Sequence, residues 1–231
     1  MARPKRTAHQ VNMQEAIKET AWQQIAEFGA PALSLRTIAR QLGITAPAIY
    51  NYYPRRDDLV TALIIDAFTS FGDSQLAARD AVPAGDLSGR LMATGMAYRR
   101  WALTYPQRYQ LIFGTPIPGY ETPQQQVLPS SARSLSALVS VIEALRLAGR
   151  LRADAFPQVR DDYKIDFEQW VTYGGQASPL SLSVAVLIWA RVHGLVSLEI
   201  SGKIPPFGPE GDGLYRYEME SLKRQFVKEQ S

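Results

Sequence analysis

The residues that decide the fold lie at positions 34–59 and read SLRTIARQLGITAPAIYNYYPRRDDL. Ser34 and Thr45 are residue types that cap helix N-termini well, and Gly43 supplies a tight turn between them. The stretch therefore predicts a helix-turn-helix. Its two helices are expected over about Ser34–Gln41 and Thr45–Tyr52.

The rest of the chain also shows helical periodicity. Apolar residues recur at three- and four-residue spacing over positions 9–28, where Gly29 ends the pattern, and a fourth helix begins near Arg56. No alternating strand pattern occurs, so the predicted fold class is all-α. Further helices are expected at Leu87–Thr104, Pro106–Phe113, Leu135–Leu151, Leu180–Ser201 and Leu214–Lys228.

The charge of the chain is unevenly distributed. The total is +3, but residues 1–56 carry eight Lys and Arg against three Glu, whereas residues 57–231 carry 17 Lys and Arg against 19 Asp and Glu. A segment of +5 joined to a remainder of −2 suggests that the N-terminal part binds a polyanion. The alternative is a basic surface that is simply solvated.

The composition excludes several kinds of site. The 231 residues include no Cys and two His, which leaves no thiolate chemistry, no disulfide and little basis for a metal site or cofactor. The first six residues are polar and basic, so we expect no signal peptide. The most apolar run, Leu180–Ile200, contains Arg191, His193 and Glu199 and is a poor membrane span. A cytoplasmic protein is expected.

The motif is similar to that of a known family. Ser34–Thr45 followed by Ala48–Leu59 resembles the DNA-binding domain of TetR-type transcriptional regulators, above all in the aromatic run Tyr50–Tyr53 and in the basic-acidic-Leu entry to the fourth helix. The resemblance implies an N-terminal three-helix DNA-binding domain, a helical ligand-binding and dimerisation domain, and a homodimer on double-stranded DNA. The half-sites would lie about 34–36 Å, or a multiple of that, apart.

The resemblance also implies which residues contact DNA. Carried over by position, the phosphate contacts are Ser34, Arg36, Thr37, Tyr50, Tyr52 and Arg56, and the base-facing residues are Thr45, Ala46, Pro47 and Asn51. Arg55 joins them at the start of the fourth helix, where a nearby polyanion would offset the unfavourable helix dipole. Core packing is the alternative for Tyr50 and Tyr52, and a solvated surface position for Arg55. Because Pro47 and Ala48 are apolar, much of the direct readout is expected to be contact with thymine methyl groups.

The C-terminal part is rich in aromatic residues. Trp189, His193 and Gly194 resemble a Trp-x-x-x-His-Gly signature found in one branch of TetR-type C-terminal domains. With the family resemblance, the aromatic content suggests a site for a largely apolar or aromatic small molecule. The alternative for each residue is an ordinary place in the core. The candidate effector-binding residues are Tyr98, Trp101, Tyr109, Phe113, Trp170, Trp189 and His193.

These observations lead to one predicted function and two rivals. We expect a DNA-binding repressor, with residues 1–56 as its helix-turn-helix domain and residues 57–231 as its effector-binding and dimerisation domain, released from a palindromic operator by a small molecule. A helical protein-interaction adaptor without DNA binding is the alternative, and an activator or dual regulator is also compatible. No nucleophile–base pair, phosphate loop or paired carboxylates suggest an enzyme.

Overall fold

The computed structural model of the protein describes residues 8–156, 167–203 and 211–228. Over these residues it contains ten α-helices, two short 3₁₀ turns and no β-strand, so the predicted all-α class is confirmed. The helices are α1 Ala8–Phe28, α2 Leu35–Gln41, α3 Ala46–Tyr50, α4 Arg56–Asp80, α5 Leu87–Thr104, α6 Pro106–Phe113, α7 Gln124–Leu147, α8 Phe167–Gly174, α9 Pro179–Ile200 and α10 Asp212–Phe226.

The local signals around the turn are confirmed. The Ser34 hydroxyl accepts a hydrogen bond from the Thr37 N–H at 3.4 Å, and the Thr45 hydroxyl accepts one from the Ala48 N–H at 3.3 Å. Gly43 lies between the two helices with φ of +66°, a conformation that glycine adopts at no steric cost. Helices α2 and α3 therefore begin where side-chain caps satisfy their first N–H groups.

The predicted extension of the third helix to Tyr52 is wrong. Helix α3 ends at Tyr50, and the next two N–H groups bond three residues back, from Asn51 to the Ala48 carbonyl and from Tyr52 to the Ile49 carbonyl. Pro54 disfavours the α conformation at the residue before it, so the chain tightens into a turn.

Helix α7 differs from its prediction at both ends. It begins at Gln124, eleven residues before the predicted Leu135, and it contains Pro129. The sequence pattern did not indicate this start, because the first turn is polar and because a proline normally disrupts the interior of a helix. It ends at Leu147, before the predicted Leu151, because Gly149 adopts φ of +67° and the Arg150 N–H bonds the Leu145 carbonyl at 2.8 Å.

The described chain divides into two compact units. The first contains the residues up to Ala67 together with Gln107–Val127, and the second contains Phe68–Pro106 and the residues from Leu128 onward. Helices α4 and α7 contribute residues to both units. The sequence predicts a boundary between the DNA-binding and effector-binding domains after Arg56. This boundary stays a prediction, because the two units are defined by compactness and not by function.

In the second unit, an arginine joins three helices. Arg99 of α5 is only 9% exposed. Its guanidinium donates to both carboxylate oxygens of Glu199 on α9, at 2.8 and 2.6 Å, and to Asp212 on α10 at 2.7 Å. The Tyr215 hydroxyl also donates to the Gly95 carbonyl at 2.6 Å. These bonds fix α9 and α10 against α5.

Helix α9 is long and apolar enough to cross a bilayer, judged by length and composition alone. Its buried residues include Leu182, Ile188 and Val196, and 44% of its most apolar stretch lies inside the protein. Arg191 on the same helix forms an ion pair with Glu218 of α10. The core helix of a soluble protein has these same features.

Candidate nucleic-acid interface

Helix α3 presents a small, exposed surface. Ile49 is fully buried and Tyr53, just beyond the helix, is nearly so, and together they anchor the segment. The predicted base-facing residues Thr45, Ala46, Pro47 and Asn51 are all exposed. A helix held by its apolar side and exposing small residues at its N-terminal end fits a major groove about 12 Å wide.

The predicted tyrosine contacts are placed differently from one another. Tyr50 is 39% exposed, which leaves its ring accessible, and Tyr52 is half-buried. Tyr53, which was not a candidate contact, fills the core position instead. Tyr53 is thus the tyrosine that packs in the core, and Tyr50 and Tyr52 stay candidate contacts.

A buried amide that the sequence analysis missed positions α2. Gln24 of α1 is 3% exposed, and its side chain accepts a hydrogen bond from the Ser34 N–H at 3.2 Å. Its amide nitrogen donates to the Gln41 side chain at 2.9 Å. Gln24 thus forms hydrogen bonds at both ends of α2. The available signal was its position on the apolar face of α1, three residues after Ala21 and seven after Ile17.

Arg36 and Thr37 lie at the start of α2 in different surroundings. Thr37 is half-buried and supplies the backbone N–H that Ser34 caps. Arg36 is exposed and has no hydrogen-bond or ion-pair partner among residues 8–156, 167–203 and 211–228. A cation in the first turn of a helix lies at the unfavourable end of the dipole, so an anion nearby would stabilise it.

Arg55 is held by an acidic partner at the start of α4. Asp58 accepts hydrogen bonds from the Arg55 backbone N–H at 2.9 Å and from its guanidinium at 2.9 and 3.4 Å. These bonds lower the pKa of Asp58 below its usual value. The pair caps α4 and neutralises much of the Arg55 charge, although the side chain remains exposed.

Arg56 performs a structural task in addition to its predicted DNA contact. Its guanidinium donates to the carbonyls of Ala30 and Pro31, at 3.2 and 3.3 Å, in the turn that follows α1. Asp57 lies 3.8 Å away. The Nε atom of Arg56 is buried and has no hydrogen-bond partner among the residues that the structure describes. One guanidinium nitrogen, Nη2, therefore makes both bonds to the turn between α1 and α2.

A polar cleft of about 360 Å³ lies beside the first turns of α4 within the same unit. The Thr61 and Tyr120 hydroxyls hydrogen-bond across it at 2.9 Å, which ties the segment after α6 to α4. In the same unit, the Arg108 guanidinium of α6 lies 5.1 Å from the Trp22 ring centre of α1. Residues 107–127 are thus attached to α1 and α4.

The candidate effector residues fall into separate groups. In the second unit, the Tyr98 hydroxyl lies 3.0 Å from Nδ1 of His193, and the Trp189 ring lies 5.2 Å from the His193 ring. Desolvation lowers the pKa of His193. The sequence analysis missed Phe71, which contacts both Tyr98 and Trp101 with ring centres 4.9 Å apart. Phe71 lies on the regular apolar face of α4, so its position was predictable as core.

The remaining aromatic candidates do not join this group. Tyr109 and Phe113 contact each other at 5.1 Å in the first unit. Trp170 of α8 is 8% exposed and packs against Gly174, and its indole N–H has no hydrogen-bond partner in the part of the chain that the structure describes. Within the described ranges no three His, Asp or Glu side chains cluster as metal ligands would.

Comparison with known proteins agrees with this arrangement. A family model described as bacterial regulatory proteins of the tetR family matches residues 17–63, and one described as a tetracyclin repressor-like C-terminal domain matches residues 91–222. The HTH-type transcriptional regulator Rv1816 of Mycobacterium tuberculosis is 35% identical over 202 residues, which cover 86% of this chain and 85% of the relative.

Two solved structures share the fold. SCO4313, described as a regulatory protein, superposes with a TM-score of 0.76 at 33% identity over 95% of this chain and 98% of that one. A transcriptional regulator from Saccharomonospora viridis in complex with choline gives 0.67 at 16% identity, over 95% and 100% of the two chains. The second likeness concerns the fold alone. The chain therefore belongs to the TetR family of bacterial transcriptional regulators.

Proposed function

We propose that this regulator is a homodimeric repressor that binds a palindromic operator and is released by a small molecule. The observation that carries the proposal is the surface of α3. Thr45, Ala46, Pro47 and Asn51 are exposed on a segment that buried Ile49 holds in place. A surface of this kind reads base edges without moving the core.

The exposed residues favour a particular mode of readout. Ala46 and Pro47 carry no hydrogen-bonding side chain and suit thymine methyl groups, whereas the Asn51 amide suits the N6 and N7 edge of adenine. Tyr50, Tyr52 and Arg36 supply polar atoms for the backbone phosphates. The expected operator half-site is therefore rich in thymine and adenine where α3 enters the groove.

Dimerisation is supported by an exposed apolar face on α9. Leu187 and Leu198 are 47% and 42% exposed and, eleven residues apart, lie on one side of the helix. Gly194 lies on the same side, and a Cβ added to it would meet no atom within 4 Å. Tyr217 on α10 is 74% exposed. An unpartnered apolar face in a family of DNA-binding dimers fits a second copy of the chain.

The effector site is proposed around Tyr98, Trp101, Trp189 and His193 in the second unit. The aromatic rings of these residues supply apolar contact area. The hydrogen-bonded Tyr98 hydroxyl and His193 imidazole supply one uncharged polar group. The Trp189-His193-Gly194 arrangement supports placing the chain in the branch with the Trp-x-x-x-His-Gly signature. The choline complex of the Saccharomonospora relative is a precedent for small-molecule binding within this fold.

Release follows from differential affinity. An effector that prefers a conformation in which the two recognition helices no longer match the grooves shifts the population away from DNA binding. The factor by which the effector lowers operator affinity equals the factor by which the operator lowers effector affinity, and the effector's preference between the two states limits it. An operator is a cytoplasmic target in a bacterium, so we place the protein in the cytoplasm.

The proposal is tested by selecting DNA with the purified protein. A random duplex library should yield a palindrome with half-sites one helical turn, or a multiple of it, apart. The selected duplex should be bound at 50 mM salt and released as salt increases, because phosphate contacts displace counterions. If no duplex is retained at low salt, the adaptor alternative is favoured. If the selected duplex carries a single half-site, the dimeric repressor is wrong.

A further inference from the structure

The charge of the DNA-binding motif is less available than its sequence suggests. Residues 28–56 contain no Asp or Glu and four arginines, which are Arg36, Arg40, Arg55 and Arg56. Two of them have partners within the chain: exposed Arg55 pairs with Asp58, and Arg56 donates to the carbonyls of Ala30 and Pro31. The uncommitted charge of the motif therefore lies on α2.

The two remaining arginines share one edge of α2. Leu35, Ile38 and Ala39 face the core, and Gln41 faces α1, where it accepts the Gln24 hydrogen bond. Arg36 and Arg40 are one helical turn apart, so they project from the edge that these contacts leave free. Both are exposed, and neither has a hydrogen-bond or ion-pair partner in the described part of the chain. We call this pair the cationic edge.

The cationic edge is electrostatically unfavourable in the free protein. Like charges four residues apart on a helix repel each other, and no carboxylate among residues 28–56 offsets them. The last turn of α2 accommodates Arg40 because cations there interact well with the helix dipole. That position makes Arg40 resemble an ordinary C-terminal residue of a helix, and the sequence analysis did not select it as a DNA contact.

We propose that Arg40 contacts a backbone phosphate and, with Arg36, forms a phosphate clamp on α2. The proposal rests on the proposed function, because it needs the protein to bind duplex DNA. A guanidinium fork matches phosphate oxygens in geometry and charge. Contact with DNA would replace the repulsion between Arg36 and Arg40 by attraction to the backbone. Arg40 then positions α2 without reading sequence.

The test compares R40Q with R100Q in the full-length protein. Arg100 is also exposed on a helix and also has no side-chain hydrogen-bond or ion-pair partner among the described residues, but it lies on α5 in the second unit. Each substitution removes one positive charge. The probes are the duplex obtained by selection and a duplex of unrelated sequence, titrated from 50 to 200 mM salt. R40Q removes one phosphate contact from each protomer of the dimer, so it should weaken binding to both duplexes at least tenfold and reduce the slope of log K against log salt by about 1.8.

A second variant and a folding measurement keep the result interpretable. R40K keeps the charge and should retain most of the salt slope, which a purely structural role for the guanidinium would not predict. The melting temperature of R40Q should stay within about 2 °C of the wild type. If R40Q and R100Q have equal affinity and slope, the assignment of Arg40 is wrong.

The remaining outcomes also decide the question. A loss confined to the selected duplex means that Arg40 reads a base and makes no phosphate contact, which overturns the proposal. A wild-type protein that binds neither duplex at 50 mM salt contradicts the proposed function itself. Failure of the Arg40 inference is thus distinguishable from failure of the function on which it rests.

Discussion

Arg36 and Arg40 in the first unit use the arginine side chain in the opposite way from Arg99 in the second. On α2, Arg36 and Arg40 are exposed and have no acidic partner in the described ranges. On α5, Arg99 is buried and bonded to two carboxylates, Glu199 and Asp212. The same side chain leaves its charge available to a partner in one unit and is fully neutralised within the fold in the other.

The difference shows why net charge is a poor guide to the binding surface. A count of Lys and Arg treats Arg55, Arg56 and Arg40 alike, although Asp58 neutralises the first and carbonyl groups hold the second. What a polyanion encounters is the charge that the fold leaves uncompensated. Substitution of the buried Arg99 should therefore affect stability, and substitution of the exposed Arg36 or Arg40 should affect DNA binding.

The largest expected effect comes from breaking the buried arginine cluster. R99Q leaves Glu199 without its bidentate partner at a mostly buried position, so the free energy of unfolding should fall by about 3 kcal/mol. Thermal and urea unfolding measure this loss. The neighbouring exposed Arg100 provides the control, since R100Q should change stability by less than about 0.5 kcal/mol. Equal effects of the two substitutions would mean that the cluster adds nothing to stability.

An intermediate effect is expected at Tyr50, and on binding only. Y50A removes an exposed side chain and should weaken binding to the selected duplex by about 1–2 kcal/mol, through the loss of a polar contact, with little change in melting temperature. Gel-shift titration measures the affinity. The matched variant is Y53A, which removes a buried side chain. It should lower the free energy of unfolding several times more than Y50A does. Marked unfolding of Y50A would support the packing alternative for Tyr50.

The sequence predicts local features well because their partners are near in the chain. The Ser34 and Thr45 caps bond N–H groups three residues away, so residue type and spacing were sufficient. The Gln24–Gln41 bond and the Arg99–Glu199 pair join residues 17 and 100 positions apart, and no periodicity specifies them. The family resemblance predicted a recognition surface. It did not show which arginines are already engaged, because that depends on packing between helices.

The smallest expected effect concerns pH and the junction between α7 and α9. Glu143 accepts hydrogen bonds from Arg146 at 2.6 Å and from the Ser178 N–H, which begins α9, at 3.1 Å. The Arg146 hydrogen bond is the main cause that lowers the pKa of Glu143 from 4.5 to about 2. In this range the unfolded chain binds the proton more readily than the folded protein does, so stability falls as the pH falls from about 4.5 towards 2.

E143Q separates this contribution from general acid unfolding. The amide keeps an acceptor for the Ser178 N–H but loses the ion pair with Arg146, so stability at pH 7 should fall by about 1 kcal/mol. Between pH 4.5 and 2 the variant should lose less additional stability than the wild type, because glutamine does not titrate. Urea unfolding at a series of pH values measures both slopes. If the free energy of unfolding falls with pH at the same slope in both proteins, Glu143 titrates alike in the folded and unfolded states. The stability of the junction would then come from the Ser178 cap and the apolar contacts of α9.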